Sequence, residues 1–123
     1  MSDALEPLRL ALLGVHRALI DDAREEHERV HGAVGRPEFL RLLLEDLRYA
    51  WLRPLSELVI QIDEAQADEA NGGRIDELVD AARALLVPPS PDTAFGRRYA
   101  DALQRRPEVV LAHAALVQAL RGG

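Results

Sequence analysis

The chain has 123 residues, no cysteine and a formal charge of −6. That length suits one domain with its own hydrophobic core, and missing cysteines exclude a disulfide framework, a thiolate metal site and a cysteine nucleophile. The acidic balance argues against nucleic acid or an anionic membrane as partner.

All fifteen basic residues are arginine, and alanine is abundant. That pairing points to a GC-rich, bacterial coding sequence. Asp3 and Glu6 stand where a secretion signal would carry basic residues, and Arg9 breaks the apolar stretch from Leu8 to Leu13. No run of about 18 apolar residues occurs, so no membrane span is expected. The cytoplasm is the expected location.

Hydrophobic spacing is helical nearly everywhere, with no convincing period-two stretch. The first helix is expected over about 3–31. Leu5, Leu8, Leu12, Val15, Leu19, Ala23 and Val30 form its stripe, Ser2 or Asp3 its cap, and Gly32 and Gly35 its stop. Such a helix would be about 42 Å long. Gly14 inside it costs about 1 kcal/mol relative to alanine. The second helix is expected over about 37–47, burying Phe39, Leu40, Leu43, Leu44 and Leu47. Pro54 puts a bend at Arg53. A third helix covers about 54–70, with Leu55, Leu58, Val59, Ile62 and Ala65 inward, and stops at Asn71-Gly72-Gly73.

A fourth helix is expected over about 74–86, on Ile75, Leu78, Val79, Ala82, Leu85 and Leu86. Pro88-Pro89-Ser90-Pro91 is a linker. Ser90 is expected to cap a fifth helix over about 91–106 with Pro91 in its first turn. Phe95, Tyr99, Ala102 and Leu103 line that helix. Pro107 opens a sixth over about 107–120, with Val109, Val110, Leu116, Val117 and Leu120 as its apolar face. The expected fold is therefore all-α: a compact single-domain bundle of five or six helices with a long N-terminal helix.

Charge is uneven along this frame. Residues 1–80 hold 18 acidic residues and nine arginines, whereas residues 81–123 hold three and six. A basic C-terminal hairpin packed beside an acidic body is the expected arrangement.

One motif could carry chemistry. His27-Glu28-Arg29-Val30-His31 resembles the H-E-x-x-H helix of the zincin metallopeptidases over these five residues. Two histidines four apart share a helical face and could hold zinc, and the glutamate could act as base on a metal-bound water. The surroundings favour a solvated helix face instead. Arg29 sits inside the motif, and Arg17–Asp21, Arg24–Glu28 and Glu25–Arg29 are spaced as i,i+4 ion pairs. Glu28 projects about 160° from the centre of the apolar stripe. No third ligand follows at a recognisable spacing; Asp46, Glu57, Asp63 and Glu64 qualify only as carboxylates. Glu28 and His31 also resemble half of a di-iron carboxylate set, but Leu13 and Val110 stand where His16 and His113 would need a glutamate.

Other residues are read more plainly. His16 projects about 40° from its stripe centre and His113 lies within an apolar face, so both are expected to be hydrogen-bonded core histidines. Trp51, with Tyr49, Arg48 and Arg53, fits a corner plug better than an interface hot spot. Arg97-Arg98 and Arg105-Arg106 could grip an anion, but pairing with Asp92, Asp101 and Glu108 is expected. Ser56 lacks the glycine elbow of a nucleophile.

No catalytic residue, cofactor or metal-ligand set is assigned. The expected role is that of a non-catalytic helical interaction or regulatory protein, self-associating as a homodimer or docking on a protein partner. The alternative is a metal-binding bundle or metal-dependent hydrolase using His27, Glu28 and His31.

Overall fold

The computed structural model describes residues 5–67 and 74–122. Six α-helices account for most of them, joined by short connections and with no strand among the described residues: α1 (Glu6–His31), α2 (Arg36–Glu45), α3 (Arg53–Ala67), α4 (Arg74–Leu86), α5 (Ala94–Arg105) and α6 (Pro107–Gly122). A 3₁₀ turn, Leu47–Leu52, links α2 to α3.

The spacing of apolar residues decides what α1 buries. Leu8, Leu12, Val15, Leu19 and Ala23 recur at three and four and are all buried, with Ala11 and Ala18 beside them. Leu12, Val15 and Leu19 are fully enclosed. Each such burial contributes about 1.5–3 kcal/mol relative to exposure. The 26-residue helix is about 39 Å long. It rests mainly on α6 and then on α3, while α4 packs on α3 and α5 on α6. One contiguous core joins all six helices.

The helix ends follow backbone chemistry. Gly32 takes φ +85°, the left-handed region that favours glycine, and donates its N–H to the Glu28 carbonyl at 2.9 Å. α1 opens after Leu5 without a side-chain cap. The expected caps Ser2 and Asp3 lie outside the described residues, as does the stop at Asn71-Gly72-Gly73. Val30, expected on the stripe, is exposed: the core-facing stripe ends at Ala23.

Two expectations change. The break after α2 falls at Asp46 rather than Arg53. Asp46 is extended (φ −88°, ψ 127°), and its carboxylate accepts from the Arg48 backbone N–H at 2.9 Å. Arg53 is helical (φ −58°, ψ −40°) despite Pro54. This early break leaves Phe39 as the one buried residue of α2, with Leu42 and Leu43 half-buried. Leu40, Leu44 and Leu47, expected inside, are 50%, 77% and 81% exposed.

The fifth helix starts at Ala94, not at Pro91. Its cap is Thr93, whose hydroxyl accepts from the Gly96 N–H at 2.9 Å. Ser90 instead accepts from the Asp92 N–H at 3.1 Å and closes a local turn. Val110, expected on the buried face of α6, is 46% exposed, whereas Val109, Leu116 and Leu120 are buried. No described helix is long and apolar enough to cross a membrane.

The basic hairpin does pack on the acidic body. Arg105, at the end of α5, grips Asp22 of α1 with two nitrogens at 3.2 and 3.1 Å. Arg106 grips Glu25 at 2.8 and 2.7 Å. Asp22 is the one buried charged residue among the described residues. A buried carboxylate needs such partners, because its desolvation costs several kcal/mol when uncompensated, by order of magnitude.

Candidate functional site

The C-terminal half of α1, the 3₁₀ turn and α5 enclose a cleft of about 210 Å³. α1 contributes Asp22, Ala23, Glu26, His27, Val30 and His31, the turn contributes Arg48, Tyr49 and Trp51, and α5 contributes Arg98 and Arg105. The helical period explains the first set: residues 23, 27, 30 and 31 share one side of α1. The Asp46 break explains the second, since it turns the chain back so that Tyr49 and Trp51 meet that side.

The two histidines of the motif do stand together, their rings 4.7 Å apart. One ring nitrogen of each already has a partner, however. Tyr49 Oη lies 3.2 Å from His27 Nδ1. Arg48 donates to His31 Nε2 at 3.3 Å, which makes that nitrogen an acceptor and puts the His31 proton on Nδ1. A guanidinium at that nitrogen also opposes a cation electrostatically.

Glu28 faces away from the pair. Its carboxylate accepts from the Val34 backbone N–H at 3.1 Å and sits 3.5 Å from Arg24. Arg24 in turn donates to the Val34 carbonyl at 3.0 Å. The expected exposure of Glu28 is therefore corrected: it is half-buried and pins the loop after α1. Of the three expected i,i+4 pairs, only Arg24–Glu28 forms. Glu25 leaves Arg29 for Arg106, a bidentate partner that holds its carboxyl below the usual range.

Two of the candidate third ligands are already paired with arginines. Asp46 is taken by Arg48, through 2.7–3.2 Å contacts that hold its carboxyl down to about 2. Asp63 is taken by Arg9 at 2.6 Å. Among the described residues, no three of histidine, aspartate and glutamate converge as a metal-ligand set.

His16 and His113 do not share a partner. His16 Nε2 lies 2.8 Å from Ser56 Oγ. Tyr99 Oη lies 2.6 Å from His113 Nδ1. Burial lowers both imidazoles below their ordinary value and raises Tyr99 far above its own. The Ser56–His16 contact was invisible in the sequence, where the two lie 40 positions apart. Among the described residues no carboxylate orients the other ring nitrogen of His16, so the pair lacks the third member of a nucleophilic triad.

The arginine pairs behave differently from one another. Arg105 is held above its ordinary value by Asp22 and then Asp101. Arg106 bonds Glu25 and approaches Glu108 at 3.2 Å. Arg98 has no carboxylate partner among the described residues; its guanidinium lies 5.7 Å from the Trp51 ring centre. Trp51 is half-buried, with Phe95 6.2 Å behind it. It thus plugs the corner with one side and lines the cleft with the other. No family model, no curated protein and no solved structure matches this chain.

Proposed function

We propose that the chain is a non-catalytic helical interaction protein that self-associates through the leucine face of α2. The carrying observation is the exposure of Leu40 and Leu44 on a helix anchored by Phe39, with Leu47 exposed in the turn just beyond its end. Leu40 and Leu44 are one turn apart and share a face. A ten-residue helix gains little stability alone, since isolated helices shorter than about 12–15 residues are marginal in water. A second copy would cover both faces at once, as a two-fold contact uses the same patch twice. Three leucines fall short of the roughly 800 Å² per partner of a standard interface. The association is accordingly weak and concentration-dependent.

The hydrolase alternative on His27, Glu28 and His31 has less support. Arg48 occupies the His31 nitrogen, and Glu28 serves the Val34 N–H. Composition supports a bacterial source, and the net charge of −6 speaks against nucleic acid as partner.

Light scattering across a concentration series tests the reading. The mass should climb from 13.6 kDa toward twice that value. The Leu40→Glu/Leu44→Glu variant should stay monomeric with an unchanged far-UV circular dichroism spectrum. A wild type that stays monomeric throughout, or a dimer that survives both substitutions, overturns it.

A further inference from the structure

The cleft carries a separate inference, independent of the leucine face. Its apolar and aromatic lining is Ala23, Tyr49 and one side of Trp51, with the exposed Val30 at its edge. Three guanidiniums and two carboxylates line it. Two of the guanidiniums are already neutralised, Arg105 by Asp22 and Asp101 and Arg48 by Asp46. Arg98 is the uncompensated cation, parked over the Trp51 ring.

We propose that this cleft binds a planar aromatic monocarboxylate, with its carboxylate on Arg98 and its ring against the Trp51 side of the cleft. Three features select that class. The volume of about 210 Å³ lies below the roughly 300–1,000 Å³ of pockets for drug-sized ligands, so a single ring fits and a nucleotide does not. Guanidinium forks match a planar carboxylate, and a charge-assisted pair is about twice as strong as a neutral one. Glu26 lines the cleft without a partner among the described residues, so it repels the second charge of a phosphate monoester.

The only tryptophan of the chain sits in the cleft, so its fluorescence reports occupancy directly. Benzoate is the probe, with inorganic phosphate and benzyl alcohol as comparators. Benzoate should give a saturable change in Trp51 emission, while both comparators give none. Arg98→Met should weaken benzoate at least about tenfold, the loss of one charged hydrogen-bonded pair. Glu26→Gln should tighten it several-fold, which a merely structural role of Glu26 would not do. Arg98 and Glu26 are both exposed, so the variants should keep the wild-type circular dichroism spectrum. No saturable change with benzoate, equal binding of phosphate, or indifference to Arg98→Met overturns the proposal. The scattering mass is read separately, so failure here and failure of self-association are distinguishable.

Discussion

Two glycines inside helices should respond to alanine with opposite signs. Gly14 lies in the middle of α1, exposed, and a Cβ built there meets nothing within 4 Å. Alanine should therefore deliver the full helix gain of about 1 kcal/mol, chiefly by narrowing the unfolded ensemble. Gly96 lies in the first turn of α5 and is buried. A Cβ there would overlap the Ser90 carbonyl oxygen, with Ser90 C and N each 2.7 Å away. These are backbone atoms of a segment stiffened by Pro88, Pro89 and Pro91, so no rotamer change relieves the contact. Overpacking typically costs about 1–3 kcal/mol, and here the backbone itself must move. The net for Gly96→Ala should be a loss of about 2 kcal/mol or more. For a chain of this size 1 kcal/mol corresponds to about 3–5 °C in Tm. Thermal melts followed by circular dichroism should then show Gly14→Ala rising by about 3–5 °C and Gly96→Ala falling by about 6–10 °C or more. The double variant should be additive within about 0.5 kcal/mol, since the sites share no partners. Shifts of the same sign would refute the reasoning, because helix propensity alone favours alanine at both.

Three further predictions use the charged groups. Arg105→Met leaves the Asp22 carboxylate buried, with the Arg106 Nε 3.5 Å away. Losing a partner of a fully buried pair costs about 3–5 kcal/mol; Arg105 is partly exposed, so about 2 kcal/mol is expected. A cycle with Asp22→Ala should give a coupling of about 1–2 kcal/mol in urea unfolding, and strict additivity would sink the pair. Below neutrality, His16 and His113 should set the pH dependence. Burial lowers both below 6.5, so between the folded and unfolded values the unfolded chain binds more protons. Stability should be full above about pH 7 and fall as pH drops through that window. The His16→Gln/His113→Gln variant should flatten this slope, and an unaltered slope would discount burial of the histidines as its cause. Finally, Glu28→Ala should cost about 1 kcal/mol by stranding the Val34 N–H, and saturating zinc should leave Tm unchanged. Zinc that raises Tm in the wild type and not in His27→Ala would restore the metal reading.

The sequence shows the stripe of α1 from Leu8 to Ala23 because its apolar residues recur at three and four along the helix. It shows the hairpin of arginines meeting an acidic body as a charge imbalance, though not that Asp22 would be the buried anchor. α2 was illegible for a simple reason. Leu40 and the run Leu42-Leu43-Leu44 put apolar side chains nearly all round one short helix, so period could not choose a face. The helix break at Asp46 then decided it, and that break depends on the side chain gripping Arg48 rather than on any proline. Trp51, Arg48 and Arg98 stand out in the sequence, but as a corner plug and as paired arginines, whereas all three line the cleft and Arg98 has no carboxylate partner among the described residues. The assembly of the cleft was not legible, because its walls come from residues 22–31, 48–51 and 98–105 of the chain.

The five-residue motif shows why spacing alone does not specify a metal site. Helical period guarantees that His27 and His31 share a face, and they do, 4.7 Å apart. Everything else a zincin site needs comes from what faces that pair. Here the facing element supplies Arg48 and Tyr49, a cation and a hydroxyl, in place of a third ligand. Glu28 points to the other side of α1 and serves the loop. The same two imidazoles that would hold a cation in one setting stand here, beside Arg48, in the wall of the cleft. Substituting Arg48 tests this directly. Arg48→Ala frees His31 Nε2 and removes the nearest positive charge, so it should raise zinc affinity, read by competition with a chromogenic chelator. Unchanged zinc affinity in that variant would mean that the missing third ligand, rather than the guanidinium, is what excludes the metal.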